Sequence, residues 1–483
     1  MIALGFLIIP LLGAILTYMA GRKAAFYTAM LSALSCLLLT VYAYQELVCG
    51  YTSVLAYTRT WMELPHIVFD IGIDGLTWVM LALTNILVPI ILLTAYRSYE
   101  EKGSSFFALI LLMQMGLNGV FMAKEGFVYY IFWELTLIPI YFIALLWGGS
   151  NRKKATMKFF AYTMLGSLFM LLAFIFLYLK TNDLATLKLE DLYVLSLSER
   201  EQIFVFAAFF LAYAIKIPIF PFHTWQPDTY TDAPTQGTML LSGIMLKMGT
   251  YSLIRWMIPI APIGMKMALP CVITLSVIGI IYASIIAYRQ AHVKRLIAYS
   301  SIAHVGMIAA GIFSLTLSGM QGAVVQMVAH GVNVVGLFFV ADILMNRTKI
   351  SDIYNMGGIR RQAPIFATVF MLVVLASVAL PLTNAFVGEY MLLYGIWQYN
   401  TILGAVAGLS VVLGAVYMFR LYQKTMLGAT TAFTHKFKDL EVEETIVFAV
   451  LIFFIFFLGL KPSLITSLTE PVISNIVQLS QVR

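Results

Sequence analysis

Charge is scarce in this chain. Of its 483 residues only 11% are Asp, Glu, Lys or Arg, against 61% hydrophobic, where a soluble domain carries about a quarter charged. That scarcity excludes a soluble globular protein and indicates a polytopic membrane one. Cysteine is equally sparse: Cys36, Cys49 and Cys271 form no CxxC pair and no metal-ligand spacing. Cys36 and Cys271 read as small apolar packing residues. His, Cys and carboxylates nowhere cluster at ligand spacing, which argues against a metal site. No soluble catalytic domain fits between the apolar runs. A Walker loop and a dinucleotide-binding glycine pattern are both missing, so energy from a nucleotide would have to arrive through another subunit. The net charge of +7 lies in short loops and forms no basic groove with interleaved aromatics, which excludes nucleic acid as a partner. Membrane lipid is the surrounding such a composition requires. The opening run Ile2–Ala20 lacks a basic n-region and a small-x-small cleavage site, and reads as a first span rather than a signal.

What the chain has is apolar length. A span needs about 20 such residues, and about fourteen candidates occur. They lie near 2–20, 25–44, 74–95, 105–123, 127–147, 157–179, 203–222, 235–256, 267–288, 297–315, 322–345, 365–397, 402–423 and 443–460. The run 365–397 is too long for one straight span. Alternate loops concentrate bases, among them Arg152–Lys153–Lys154, Lys294–Arg295 and Arg360–Arg361. By the positive-inside rule these face the cytoplasm, and the count then places both termini outside. One cytoplasmic loop, 223–234, has no base and holds Asp228 and Asp232. Residues 45–73, with His66 and Asp70 and with Asp74 directly after them, read as an ordered external loop and 180–201 as a polar external link. The tail after Lys461 reads as too polar to span.

Four ionisable residues stand inside the apolar runs: Glu134, Lys216, Lys247 and Glu389. An intramembrane charge is costly and by default marks an ion or proton path. Lys216 lies just before Pro218 and Pro221. Neither proline can donate to the helix carbonyl four residues back, so carbonyls are freed beside the lysine, as at the broken helices of ion sites. Desolvation favours the neutral amine and a nearby carboxylate the charged one, so such a lysine can hold or release a proton. Its bland alternative is a side chain snorkelling to the interface. Lys247 lies about twelve residues into its run, close to the bilayer centre, where snorkelling does not reach. Glu134 needs a base or water beside it, and Lys216 is the natural partner; a purely structural ion pair is the alternative. Glu389 follows Pro381, Asn384 and Gly388, a second interruption beside an ionisable residue.

His304 and His330 also lie well inside apolar runs, with Ser300, Ser301, Gln326 and Asn333 nearby. They read either as links of a proton chain between Lys247 and Glu389 or as packing residues bonded to helix carbonyls. His223, past the double-proline break, reads as a possible site of proton uptake or as an interfacial residue.

The run Phe210-Leu-Ala-Tyr-Ala-Ile-Lys-Ile-Pro-Ile-Phe-Pro-Phe-His-Thr-Trp-Gln-Pro-Asp228 resembles the signature of the antiporter-like subunits of respiratory complex I. The resemblance extends from about residue 70 to 425. Glu389, within Phe386-Val-Gly-Glu-Tyr390, favours the chain M branch of NADH-quinone oxidoreductase, the counterpart of mitochondrial chain 4. Relatives of type L and N, and Mrp-type Na⁺/H⁺ antiporter subunits, usually carry lysine there. One departure is Tyr230, which stands where the family loop usually has His.

The resemblance implies an all-α polytopic membrane protein of about fourteen helices, with helices 7 and 12 broken, the first at Pro218 and Pro221 and the second at Pro381. Residues 1–104 would hold the first three helices, 105–256 and 257–423 two inverted five-helix repeats, and 424–483 the last helix and tail. It assigns proton translocation to Glu134 and Lys216 as an acid–base pair, Lys247 as central base, His304 and His330 as the connecting axis, and Glu389 as terminal acid. It implies no cofactor in this chain, with NADH, FMN, iron–sulfur clusters and quinone in other subunits. The expected neighbours are L-type and N-type antiporter-like subunits, and the expected location is the bacterial inner membrane. An Na⁺/H⁺ antiporter subunit and a structural spacer of the membrane arm are the alternatives.

Overall fold

In hydrocarbon every backbone N–H and C=O must pair within the chain, which leaves helices as the economical solution for apolar runs of this length. The computed structural model describes residues 2–63, 65–181 and 186–482. Positions 182–185 of the polar link lie outside the described residues.

In chain order the helices are α1 (Ile2–Met19), α2 (Gly21–Val48), α3 (Gly75–Thr94), α4 (Tyr99–Met122), α5 (Gly126–Trp147), α6 (Arg152–Lys180), α7 (Leu189–Val194), α8 (Glu199–Lys216) and α9 (Trp225–Asp232). One further helical stretch divides into α10 (Thr235–Leu240), α11 (Leu246–Ser252) and α12 (Ile258–Ile260), with π-helical turns Leu241–Met245 and Leu253–Met257 between them. Then follow α13 (Pro262–Arg289), α14 (Val293–Phe313), α15 (Leu317–Thr348), α16 (Ile359–Gln362), α17 (Pro364–Ser377), α18 (Asn384–Tyr399), α19 (Thr401–Met426), α20 (Val442–Leu460) and α21 (Ser463–Val482). Eleven of the described helices are long and apolar enough to cross a membrane, so the protein is an all-α polytopic membrane protein with one small hairpin. The long apolar run at 365–397 resolves into two helices, α17 and α18.

The chain divides into two compact units: 1–216 with 244–269 and 468–483, and 217–243 with 270–467. In the first, the loop expected between α2 and α3 is an antiparallel hairpin of β1 (Ala56–Met62) and β2 (Ile67–Gly72), in the register Ala56↔Gly72. Lys124 N–H donates to the Asp70 carbonyl at 2.9 Å, and Gly126 N–H to that of Leu187 at 3.0 Å. The hairpin thereby orders the start of α5, which Glu125 caps by accepting the Val128 N–H at 2.8 Å. Asp74 caps α3 in the same way, from Thr77 N–H at 2.9 Å. Side chains such as Leu16 and Leu172 remain exposed on α1 and α6, as lipid-facing helices require. Cys36 is buried, as a packing residue should be.

The second unit is built on α15, which is buried along its apolar length, while Val412 on α19 and Phe453 on α20 are exposed. Cys271 is exposed on α13 rather than packed inside; an apolar outer face accepts a thiol as readily as a core does. α18 packs closely on α15: a Cβ at Gly322 would lie 2.7 Å from Met391 Cβ, so only glycine allows the approach. The tail past Lys461 forms α21, with Ile465, Thr469, Ile473 and Ile476 buried and Glu470, Asn475 and Gln478 exposed. That one-sided pattern suits a helix lying along an interface rather than crossing the membrane.

Candidate functional site

In the first unit, α8 stops at Lys216 because Pro218 supplies no N–H to continue it. Lys216 is only 2% exposed. Its Nζ lies over the Trp133 ring, 5.1 Å from the centroid, and among the described residues it has no hydrogen-bond partner. Glu134 follows Trp133 on α5 and is half-buried, with Oε1 unpartnered. The expected direct contact between Glu134 and Lys216 is not formed, since among the described residues no ion pair joins them within 4.0 Å. The reason is local. Glu134 has Ser167 of α6 within hydrogen-bonding reach, and the ammonium takes the indole face. The two charges act on each other through space.

Lys247 is buried on α11, at 1% exposure, between the two π-helical turns. Such turns widen the helix and disturb its hydrogen-bond ladder, and they occur frequently at functional sites. Two turns further along, Arg255 is buried and ion-paired with Asp74. Burial alone would raise the Asp74 carboxyl, yet the Arg255 charge and the Thr77 N–H hold it below the usual carboxylate range. Arg255 does not stand out in the sequence because it lies at the end of its apolar run. The signal that could find it is its spacing from Lys247 and Tyr251 at i+8 and i+4.

In the second unit the buried groups are joined. His304 Nδ1 of α14 lies 3.1 Å from Glu389 Oε1 of α18, and Gln326 Nε2 of α15 donates to the same oxygen at 3.1 Å. The rings of His304 and His330 are 6.1 Å apart. His330 Nε2 bonds Ser301 Oγ at 3.0 Å, which accepts from Gln226 at 3.5 Å. A cavity of about 20 Å³ lies among Ser301, His304, Gln326, His330 and Asn333, large enough for one water. Gly388 makes this possible, because a Cβ there would lie 2.6 Å from Gln326 Oε1. Pro381 stands between Ala379 and Leu382, both at positive φ (55° and 76°), in the stretch that separates α17 from α18.

Pro218, Pro221 and His223 fall in the non-helical link before α9. His223 is 3% exposed, stacked on Phe220 at 5.7 Å and edge-on to Tyr282 at 5.1 Å. Among the described residues no group of three or more His, Cys, Asp or Glu could hold a metal ion. The chemistry this arrangement can perform is proton holding and transfer: a desolvated ammonium, a second buried amine and a carboxylate bonded to imidazole.

A family profile described as NADH:quinone oxidoreductase/Mrp antiporter, TM, matches residues 123–458. NADH-quinone oxidoreductase subunit M of Rickettsia typhi is 38% identical over 468 residues, covering 95% of this chain and 93% of the relative. Among solved structures, a chain of respiratory complex I from Thermus thermophilus with bound NADH matches with a TM-score of 0.91 at 29% identity, covering 99% of this chain and 100% of that one. A chain of the Mrp complex from Dietzia sp. DQ12-45-1b matches at TM-score 0.87 and 18% identity, over 99% of this chain and 98% of that one, a likeness of fold alone.

Proposed function

The chain belongs to the NADH:quinone oxidoreductase subunit M family, the chain 4 family of antiporter-like subunits, and on that premise we propose that it translocates protons as a membrane-arm subunit of such a complex. Electron transfer takes place in other subunits, where NADH, FMN, iron–sulfur clusters and quinone are bound. The protein is a bacterial-type multi-pass membrane protein. Fourteen spans, two inverted repeats over 105–256 and 257–423, and termini on the external face complete the proposed topology. The eleven long helices together with the segmented stretches at α8–α9, α10–α12 and α17–α18 support that count. L-type and N-type subunits are the proposed neighbours in a bacterial inner membrane.

The single observation that carries the reading is the His304–Glu389–Gln326 contact beside a cavity of water size. A carboxylate bonded to imidazole next to room for a water has donor and acceptor in place for proton transfer. In the proposed sequence, conformational or electrostatic change along the membrane arm alters the through-space interaction of Glu134 with Lys216. The proton affinity of Lys247 changes in response, and its proton passes by way of His304 and His330 to Glu389. His223 serves proton uptake.

The test is Lys247→Ala in the assembled complex, reconstituted into vesicles. Proton transfer through this chain should slow by about a hundredfold, seen as a loss of protons moved per NADH. NADH oxidation by an artificial acceptor should persist. An unchanged proton-to-NADH ratio would contradict the central role of Lys247.

A further inference from the structure

The first unit holds a second charged assembly that the proposed proton sequence does not use. A cavity of about 600 Å³ lies beside the hairpin, lined in part by Asp70, Asp74, Lys124, Lys188 and Arg255. It reaches the surface, since Thr58, Glu190 and Asn475 of its lining are exposed. Arg255 is the buried member of the charged lining, at 8% exposure. It is held from four directions. Nη2 is paired with Asp74 and lies 3.4 Å from Thr77 Oγ1. Nε donates to Tyr251 OH at 3.3 Å, and the carbonyl of Arg255 accepts from Tyr193 OH at 2.6 Å. Tyr251 OH in turn donates to the Phe121 carbonyl at 2.7 Å.

Lys247, Tyr251 and Arg255 recur at i, i+4 and i+8, so they share one face of their helix. Lys247 lies about 12 Å from Arg255 along the axis. Arg255 and Tyr251 therefore stand on the helix face between a surface-open cavity, which Arg255 lines, and the buried lysine.

We propose that Arg255 is a charge barrier that keeps protons in this cavity from reaching Lys247 outside the coupled route. A fixed cation at the inner wall of the cavity disfavours a second one beside it, because repulsion is weakly screened at a buried site. Asp74 and Tyr251 position the guanidinium. The inference rests on Lys247 being a protonatable relay. Its failure is distinguishable from the failure of that reading, because the first is read as passive leak and the second as lost pumping.

The same pair could do no more than clamp α3 to its neighbours, and the two roles part on substitution. A clamp is broken equally by Arg255→Gln and Asp74→Asn. A barrier is lost with the first and kept with the second, which leaves the cation in place. The experiment uses the assembled complex in vesicles without NADH, with an imposed pH gradient and a trapped pH dye. Arg255→Gln should raise passive proton conductance at least about tenfold. Asp74→Asn and Arg255→Lys should stay near the parent, and adding Lys247→Ala to Arg255→Gln should abolish the leak. Parental conductance in Arg255→Gln at matched complex content overturns the proposal. So does an equal leak in Asp74→Asn, or a leak that survives Lys247→Ala. If Arg255→Gln complexes do not assemble, Arg255→Lys assayed from about pH 7 to about pH 9 carries the test, because a buried amine can lose its charge there and a guanidinium cannot. Its conductance relative to the parent should rise about twofold over that range, and a constant ratio overturns the proposal.

Discussion

Lys216 and Glu389 are both buried ionisable groups beside a helix interruption, yet their surroundings differ in kind. Lys216 Nζ has an aromatic face and no hydrogen-bond partner among the described residues. Glu389 Oε1 has an imidazole and an amide at 3.1 Å each, with a water-sized cavity alongside. A desolvated ammonium without hydrogen bonds responds most strongly to charge elsewhere, because little around it screens the field. A carboxylate already bonded to a histidine is arranged for transfer over short distances. The difference separates a group suited to sensing from a group suited to conducting.

The contrast can be broken from either end. Trp133→Leu removes the aromatic face and leaves Lys216 in an apolar pocket, so coupled turnover should fall about tenfold. The measure is NADH-driven proton uptake, normalised to assembled complex. Parental uptake would mean that the indole has no part in holding the charge. Gly388→Ala brings a methyl against Gln326 Oε1 and should displace that amide from Glu389 while sparing the His304 contact. A smaller loss, about threefold, is expected in the same assay. Equal losses in the two variants would erase the distinction between the regions.

A control outside both sites has the smallest expected effect. Burial pushes the Glu125 carboxyl up to about 7, although the Val128 and Phe127 N–H groups oppose this. Between its ordinary 4.5 and about 7, the unfolded chain releases this proton while the folded one retains it. The contribution to stability is therefore full below 4.5 and is lost as pH rises through about 7. Glu125→Gln should raise the thermal midpoint of the detergent-purified complex by a few degrees, roughly, at pH 8 and leave it nearly unchanged at pH 4. A shift of equal size at both would exclude titration of Glu125 as the cause.

Much of this is legible in the sequence because charge in an apolar run is rare and proline cannot donate. Glu134, Lys216, Lys247 and Glu389 stand out on the first ground, and the ends of α8 and α17 near Pro218 and Pro381 on the second. Tertiary choice is not legible. The sequence pairs Glu134 with Lys216, but the lysine lies over a tryptophan face and the glutamate beside a serine. The carboxylate–imidazole contact of Glu389 with His304 joins residues far apart in the chain, so no local pattern announces it. The π-helical turns flanking Lys247 carry no proline or charge cluster to mark them. The amphipathic α21 is hard to read because its apolar stripe, Ile465, Ile473 and Ile476, is diluted by polar residues between.

In the proposed function the charged groups of the two units act in one sequence rather than as independent routes. Lys247→Ala and Glu389→Gln, singly and combined, should be reconstituted as assembled complexes and scored by protons moved per NADH. Each single variant should lose the same share, and the double variant no more than either. A double variant that falls to the product of the two single effects, or a single variant at the parental ratio, would contradict it.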